Sequence, residues 1–208
     1  MSYFPFFMEI TGKDCLIVGG GTVALRKAEK LLPFGVRIMA VAPVFCGEFQ
    51  KLDDVRRIER PFSPEDIEGM AFVIGATDDS AVNAEISRLC RARGIPVNIV
   101  DDRENCTFFF PALVKRGEFV AGFSSGGNSP LAARYMRERL EESIPPRFEE
   151  TIALLGAFRE RAKREIPDGR EREKTYRRLF ALALEQDGNV TETDLENLLK
   201  GESHDKDA

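Results

Sequence analysis

The sequence predicts an α/β protein in which a Rossmann-like parallel sheet is followed by a short region of different pattern and a helical carboxyl-terminal domain. Three observations favour this fold class. Short apolar strand candidates alternate with helix-length segments over residues 1–112, as expected when helices cover both faces of a parallel sheet. A glycine-rich turn joins the first strand candidate to the first helix. Beyond residue 146 the chain is charged and helix-prone.

The first βαβ unit begins at residues 14–18, where a mostly apolar strand runs directly into three glycines. A helix follows, and Pro33 and Gly35 end it. The next strand is predicted at residues 36–41, where the residues are apolar without alternation. The inward positions of the helix are expected to be Val23, Ala24, Ala28, Leu31 and Leu32.

Two further buried strands are predicted at residues 70–76 and 96–100, with a helix between them at about 81–93. Residues 57–60 form a weaker strand candidate. Because strands and helices alternate, the sheet should be parallel and doubly wound. The expected domains are residues 1–112 for the dinucleotide-binding part, a separate short region at 113–145, and 146–208 for the helical domain with a polar tail.

In the second half of the chain, residues 118–124 form a strand candidate and a polar, glycine-rich turn follows. Ser129 before Pro130 is typical of an N-cap followed by a first-turn proline, and this helix should run to about Ser143. The remaining chain to about residue 199 is predicted to be helical, with breaks at 167–169 and 187–188.

Composition excludes several classes of protein. The 208 residues are 43% hydrophobic and 31% charged, which excludes a disordered or collagen-like chain. The net charge of −5 argues against a general nucleic-acid binder. No apolar run approaches the roughly 18 residues of a membrane span, and the start lacks the basic and small-residue features of a signal peptide. We therefore expect a cytoplasmic protein.

The cysteine and histidine content restricts the chemistry. Four cysteines occur without a CxxC pair, so neither a zinc knuckle nor a disulfide framework is expected. The only histidine is His204, in the polar tail, and a terminus of this kind does not hold an imidazole in a catalytic triad. We predict no bound metal, and we expect acid–base chemistry to depend on carboxylates, hydroxyls, lysines or water.

The Gly19-x-Gly21-x-x-Ala24 pattern has the spacing of a dinucleotide-binding fingerprint and the strand–turn–helix context that supports one. In such a turn Gly19 permits the tight bend, Gly21 lets the backbone approach a pyrophosphate, and Ala24 allows close packing of helix on strand. The helix amino terminus then faces the anion. The alternative is a purely structural strand–helix turn.

The second strand is followed by Pro43 and Val44, not by the acidic residue that usually binds the ribose. Either backbone groups at these two residues bind the ribose, or the cofactor preference is loose. Ala76 and Thr77 follow a later strand, at the carboxyl edge where open α/β sheets bind ligands. Thr77 or an adjacent aspartate would also serve as a helix cap, and the two interpretations are compatible.

Asp101 and Asp102 end the strand at residues 96–100, at the same edge of the sheet. They are either surface turn residues or, beside a nicotinamide, the best acid–base candidates in a chain without a usable histidine. The residues alone do not decide which aspartate would be the base.

The turn at residues 124–129 resembles a nest whose backbone amides and hydroxyls bind an anion, although a plain helix entry is the alternative. No base stands beside Ser124 or Ser125, so neither is expected to be a nucleophile. The following helix carries arginines at 134, 137 and 139, which either bind an anion or pair with nearby glutamates on a solvated face.

Five motifs together resemble the siroheme synthase amino-terminal family. They are residues 15–24 (CLIVGGGTVA), 26–28 (RKA), 76–79 (ATDD), 97–101 (VNIVD) and 124–130 (SSGGNSP). The resemblance covers residues 5 to 145 approximately. It implies an NAD-dependent precorrin-2 dehydrogenase that forms a homodimer, in which the Rossmann-like domain is followed by a small dimerisation region, here residues 113–145, and a helical domain. Some members of this family are also sirohydrochlorin ferrochelatases that take Fe²⁺ as a substrate. The length is similar to that of the stand-alone dehydrogenase form, without the methyltransferase module of the fused enzymes.

The resemblance also implies site residues. Asp101 matches the family's key carboxylate, implicated in both reactions, and Ser125 matches a serine that is phosphorylated in some relatives. Residues 21–23 and 43–44 match the NAD-contacting turns of the family. Together with the fingerprint and the sheet edge, they give the expected NAD-binding residues Gly19, Gly21, Thr22, Val23, Pro43, Val44, Ala76 and Thr77. For a tetrapyrrole that carries eight carboxylates, the expected binding residues are Ser124, Ser125, Gly126, Asn128, Arg134 and Arg137.

Two other functions remain open at this point. One is a different NAD-dependent oxidoreductase that acts on a small acid, although common hydroxy-acid dehydrogenases of this kind rely on a histidine. The other is a non-catalytic, NAD-responsive binding module in which the helical region contacts a partner. No DNA-binding helix-turn-helix is recognisable.

Overall fold

The computed structural model describes residues 4–200, so His204 lies outside the described residues. The chain divides into two compact units, residues 4–110 and residues 111–200. No helix within residues 4–200 combines the length and the apolar character needed to cross a membrane.

The first unit contains a five-stranded sheet in which all neighbouring strands are parallel. The strands lie in the order β3-β2-β1-β4-β5, so the chain crosses from one side of β1 to the other between β3 and β4. This order is that of a Rossmann-like, doubly wound sheet. The strands are β1 (Asp14–Val18), β2 (Arg37–Ala42), β3 (Val55–Glu59), β4 (Phe72–Gly75) and β5 (Val97–Ile99).

Helix α1 (Thr22–Leu31) and helix α2 (Ser80–Ala92) pack with the two hydrophobic cores of this unit. One core joins the buried face of α1 to alternate residues of β1, such as Cys15 and Ile17. The other core joins α2 to Leu16 and Val18. Since successive strand residues point to opposite faces, residues 15–18 of β1 are all apolar because both faces of the sheet are covered there.

The second unit begins with a two-stranded antiparallel hairpin, β6 (Ala112–Arg116) and β7 (Phe119–Phe123). Helix α3 (Pro130–Ser143) follows, and the Ser129 hydroxyl accepts a hydrogen bond from the Ala132 amide at its start. This observation confirms the expected N-cap. Nothing in α3 is fully buried in the described structure.

Three helices complete the second unit: α4 (Phe148–Glu165), α5 (Gly169–Glu185) and α6 (Glu192–Lys200). They share a small core around Phe158, Ala162, Leu179 and Leu195. The breaks at residues 167–169 and 187–188 lie where the sequence predicts them. The Asp168 carboxylate accepts hydrogen bonds from two amides at the start of α5, which gives this helix its own cap.

Two details differ from the sequence-based expectations. Strand β6 is not predicted from the sequence, and Val23 lies outside the core with 40% of its surface exposed. Val23 is in the first turn of α1, next to the glycine-rich turn, whereas Ala24 and Leu25 pack inward. The helix start therefore presents an apolar side chain to solvent at the carboxyl edge of the sheet.

Candidate active site

The glycine-rich turn after β1 is in close contact with the loops that follow the neighbouring strands. A Cβ atom added to Gly19 would lie 2.3 Å from the carbonyl oxygen of Ala76. A Cβ atom added to Gly20 would lie 2.0 Å from the carbonyl oxygen of Val44. Gly19 also has a φ of 132°, which L side chains rarely adopt. Both glycines are therefore required for backbone packing inside the protein.

Gly21 differs from its two neighbours because it faces open space. No atom lies within 4 Å of a Cβ added at this position, and the residue is exposed. Its backbone is extended, with a φ of −84°, and it is the N-cap of α1. No side chain caps this helix, so the amides of the first turn have no partner of that kind. The positive end of α1 thus faces a space that a phosphate group would fill.

The expected cofactor residues after β2 and β4 lie at the same edge of the sheet. Val44 is 77% exposed although it is apolar, and Pro43 is also exposed. The amide of Cys46 donates to the carbonyl of Gly20 at 2.8 Å, which ties the loop after β2 to the glycine-rich turn. The expected NAD-binding residues in the loops after β1, β2 and β4 therefore lie together around the start of α1.

Thr77 and Asp79 have separate structural roles after β4. The Asp79 carboxylate accepts from the amides of Ala81 and Val82 and caps α2. The Thr77 hydroxyl lies 2.9 Å from Oδ1 of the buried Asn83, whose side-chain amide donates to the Thr77 carbonyl at 2.9 Å. Asn83 therefore holds the loop after β4 in place. The helix-cap interpretation is confirmed for Asp79, whereas a cofactor contact by Thr77 remains a prediction.

Asp101 lies two residues beyond β5 in a left-handed backbone conformation, with a φ of 57°. Its side chain is exposed, and within residues 4–200 no hydrogen bond or ion pair engages its carboxylate. Aspartate tolerates this conformation better than most residues, and such positions often occur at functional sites. The loop therefore presents a carboxylate that is available to a ligand at the carboxyl edge of the sheet.

The carboxylate of Asp102 forms hydrogen bonds within the loop itself. It accepts hydrogen bonds from the side chain of Asn105 at 2.7 Å and from the amide of Asn105 at 3.2 Å. The side-chain hydrogen bond from Asn105 lowers the pKa of Asp102 below its usual value. Of the two aspartates, Asp102 closes a turn and Asp101 is available for chemistry.

The loop that carries Asp101 is fixed along the outer side of β5. The Thr107 hydroxyl and amide both bond to Val97, at 2.8 Å each. Cys106 Sγ accepts from the Ile99 amide at 3.2 Å, and the side-chain amide of Asn98 donates to the carbonyl of Phe108 at 3.0 Å. These bonds pair the returning segment with the strand. Asp101 therefore lies in a loop whose returning segment is hydrogen-bonded to β5.

The polar turn before α3 bonds largely to itself. The Ser125 hydroxyl accepts from the Ser129 amide at 2.9 Å and donates to the Ser129 carbonyl at 2.8 Å. The Gly126 amide donates to the Ser124 hydroxyl, and the Asn128 amide donates to the Ser125 carbonyl. Several amides of the expected anion nest are therefore already occupied. Anion binding by this turn remains a prediction.

The arginines of α3 divide into two groups. Arg137 forms ion pairs with Glu138, at 2.9 Å, and with Glu141, and Arg139 pairs with Glu142. The predicted pairing within a solvated helix is confirmed for these two. Arg134 is exposed, and no ion pair within residues 4–200 includes it. Of Arg134 and Arg137, the two arginines expected to bind substrate, Arg134 is therefore the more available.

The cysteines do not form a redox or metal centre in the described part of the chain. All four are free thiols. Burial raises the pKa of Cys15, and burial also raises the pKa of Cys90 to about 11, which keeps both as unreactive thiols at neutral pH. Within residues 4–200, no three side chains among His, Cys, Asp and Glu gather into a group that could bind a metal.

Sequence reasoning missed several residues that build this site. The fingerprint leaves Gly20 unspecified, although a Cβ added there would approach Val44 as closely as one added at Gly19 would approach Ala76. The sequence patterns give no role to Asn83 and Cys106, although these residues hold the loops after β4 and β5. A run of three glycines was a usable signal for Gly20. No signal in the sequence identifies the partners of Asn83 or Cys106, because their bonds depend on the tertiary structure.

Comparison with known proteins places this geometry in a family. Residues 6–112 match a family model described as "Putative NAD(P)-binding". The chain belongs to this NAD(P)-binding family. The matched range contains the whole five-stranded sheet and the loops at its carboxyl edge. The dinucleotide-binding fold predicted from the glycine-rich turn is thereby confirmed.

Curated siroheme synthases are similar to nearly the whole chain. The siroheme synthase of Thioalkalivibrio sulfidiphilus is 38% identical over 195 residues, which is 92% of this chain. That of Pseudomonas paraeruginosa is 42% identical over 183 residues, which is 86% of this chain. The chain spans 39% of the length of each of these relatives. The predicted resemblance to the siroheme synthase amino-terminal family is confirmed.

Among solved structures, the chain is similar to one titled "SirC, precorrin-2 dehydrogenase", with a TM-score of 0.70 and 21% identity. The similarity covers 96% of this chain and 98% of the other. It supports the fold of both units, with the parallel sheet followed by the hairpin and helices.

Proposed function

We propose that this chain catalyses the NAD-dependent oxidation of precorrin-2 to sirohydrochlorin, a step of siroheme biosynthesis. The observation that carries the proposal is the available carboxylate of Asp101, held at the carboxyl edge of a dinucleotide-binding sheet. The similarity to siroheme synthases supports the choice of substrate. A small-acid oxidoreductase or a non-catalytic NAD-responsive module would not by itself account for that similarity across both units.

Asp101 supplies the base that this reaction needs. The oxidation of precorrin-2 to sirohydrochlorin removes a hydride and a proton from the macrocycle. The Asp101 carboxylate has no other hydrogen-bond or ion-pair partner within residues 4–200, so it is free to accept that proton. A positioned general base contributes about 10²–10⁴-fold to a reaction rate. Hydrogen bonds between β5 and residues 106–108 support the backbone of the loop that carries this carboxylate.

The residues at the carboxyl edge fit a bound NAD. When bound, NAD⁺ supplies the hydride acceptor. The exposed position of Gly21 leaves room for the pyrophosphate at the start of α1, and Thr22 and Val23 contribute first-turn amides to it. Pro43 and Val44 would contact the adenosine side, with backbone groups in place of an acidic ribose ligand. Ala76 and Thr77 would line the opposite side of the dinucleotide.

The second unit would bind the carboxylates of the tetrapyrrole. Arg134 and Arg137 provide guanidinium groups on α3, and Ser124, Gly126 and Asn128 provide polar groups in the turn before it. Arg134 has no competing ion pair within the described residues, so we expect it to contribute more binding energy than Arg137. Charge-assisted hydrogen bonds to carboxylates are stronger than neutral ones. Ser125 closes the turn and thus supports these groups.

We expect the protein to be a homodimer in which α3 and the hairpin β6–β7 form the interface. Leu131, Tyr135 and Met136 of α3 are 72%, 59% and 50% exposed, and Leu131 and Tyr135, which are four residues apart, are neighbours on the helix surface. Exposed apolar groups of this kind are typical of interaction surfaces. The same region is the one in which the family resemblance implies dimerisation.

The variant Leu131→Glu is therefore expected to dissociate the dimer, because it introduces a charge into an apolar interface. The matched control is Phe4→Glu, since Phe4 is 84% exposed and lies outside the proposed interface. Sedimentation velocity of the wild type and both variants measures the mass. A dimeric Leu131→Glu variant would exclude α3 from the interface.

The proposed reaction is tested directly with the purified chain, precorrin-2 and NAD⁺. We expect the absorbance spectrum of sirohydrochlorin to appear together with NADH in a one-to-one ratio. Folded protein that leaves both spectra unchanged would contradict the proposal. The same preparation, given sirohydrochlorin and Fe²⁺, tests a second activity.

Iron insertion into sirohydrochlorin is that second candidate activity. It requires the loss of two pyrrole protons, which the Asp101 carboxylate is placed to accept. Fe²⁺ would be a substrate held largely by the tetrapyrrole. An enzymatic rate above the protein-free rate would support chelatase activity, and equal rates would exclude it.

A further inference from the structure

Lys27 has an environment that the glycine-rich fingerprint does not explain. It lies on α1, one residue before the fully buried Ala28, and its side chain is half-buried. The Lys27 ammonium is 4.1 Å from the centre of the Phe110 ring. An ammonium over an aromatic face gains a modest electrostatic attraction. The position of this cation is thus defined by a specific contact.

The Phe110 ring is itself fixed by other aromatic residues. Its centre lies 5.6 Å from that of Phe108, which packs edge-on against Phe72 of β4 at 6.0 Å. Phe108 and Phe110 both pack against the core beneath α1. The segment that returns from the Asp101 loop therefore provides a rigid platform under the ammonium.

The charges around Lys27 leave its ammonium without an anionic partner in contact. Within residues 4–200, no ion pair or hydrogen bond engages Lys27 Nζ. Burial lowers the pKa of Lys27, and repulsion from Lys30 adds to this effect, whereas Cys106 and Asp101 oppose it. Asp101 is therefore near enough to act on Lys27 without forming an ion pair with it. A partly desolvated cation without a partner is costly unless a ligand supplies the anion.

We propose that Lys27 binds a carboxylate of the substrate beside Asp101. This inference rests on the proposed function, in which the substrate is a tetrapyrrole with eight carboxylates. The pyrophosphate is expected at the open space beside Gly21 and the first turn of α1, whereas Lys27 lies more than one turn further along the helix. The ammonium would thus orient the macrocycle, while Asp101 accepts the proton.

The test compares Lys27→Met with the wild type in binding and in turnover. We expect the Kd for sirohydrochlorin and the KM for precorrin-2 to rise by about tenfold or more, as for loss of a charged hydrogen bond. The Kd for NAD⁺ and kcat should change little. Methionine has a similar length and no charge, so the melting temperature should be maintained. Lys27→Arg should restore most of the affinity.

Lys30→Met is the matched control, because Lys30 is exposed on the same helix, and it should bind sirohydrochlorin like the wild type. An unchanged sirohydrochlorin affinity in Lys27→Met would overturn the proposal. A rise in the Kd for NAD⁺ instead would assign Lys27 to a phosphate and would also overturn it. If the wild type oxidises precorrin-2 normally, each of these two results refutes only the role of Lys27 and leaves the proposed function in place. A wild type that neither binds sirohydrochlorin nor oxidises precorrin-2 would refute both proposals.

Discussion

Asp101→Asn is expected to lower kcat for precorrin-2 oxidation by at least about a hundredfold, the contribution of a general base. Asparagine removes the carboxylate charge and changes little else, because it tolerates the left-handed backbone of residue 101 as well as aspartate does. Alanine would add backbone strain at this φ of 57°. The affinity for NAD⁺, measured by calorimetry, should remain close to that of the wild type.

Two controls separate the chemistry from the structure of the loop. Asp78→Asn changes an exposed aspartate at the same edge of the sheet and should leave kcat unchanged. Asp102→Asn changes the group that bonds Asn105, so it should affect stability more than kcat. If Asp101→Asn keeps a normal rate while Asp102→Asn loses the rate, the base is Asp102 and the assignment made here is wrong.

Gly21→Val is expected to raise the Kd for NAD⁺ by roughly a hundredfold, because an added side chain would occupy the space over the turn, at a cost of up to about 3 kcal/mol. The protein itself should fold normally, since nothing lies within 4 Å of the added Cβ and the backbone is extended. Calorimetry of NAD⁺ binding and thermal unfolding by circular dichroism measure the two effects separately.

Gly156→Val is the control for this variant, because Gly156 of α4 also faces open space but lies in the other unit. It should bind NAD⁺ normally. Gly20→Ala is expected to have the opposite effect, on folding and not on the open binding space. Its added Cβ would clash with the Val44 carbonyl, so the variant should be less stable than the wild type by about 1–3 kcal/mol. Normal NAD⁺ binding by Gly21→Val would show that the dinucleotide does not lie over this turn.

The fold of the first unit was predictable because burial on both faces leaves a strong pattern. Residues 15–18 of β1 and all residues of β4 lack polar side chains, and glycine or proline marks the ends of the helices that follow these strands. Strand β6 was missed because it ends in Lys115 and Arg116 and is mostly half-exposed. A usable signal existed, since the hairpin turns through only Gly117 and Glu118, and Gly117 has a φ of 53°.

The candidate site was predictable only where local sequence determines the backbone. The open position of Gly21 and the place of Asp101 just beyond β5 both follow from strand and turn patterns. The difference between Asp101 and Asp102 did not, because it depends on the hydrogen bonds of Asp102 to Asn105. The environment of Lys27 also required the structure, since Phe110 is distant in sequence and meets it only after folding.

The most direct test is a crystal structure of the chain with NAD⁺ bound. We predict that the pyrophosphate lies against Gly21 and the first-turn amides of α1, and that the nicotinamide lies on the side of the site that contains Asp101. A pyrophosphate bound elsewhere, or a nicotinamide remote from Asp101, would contradict the mechanism.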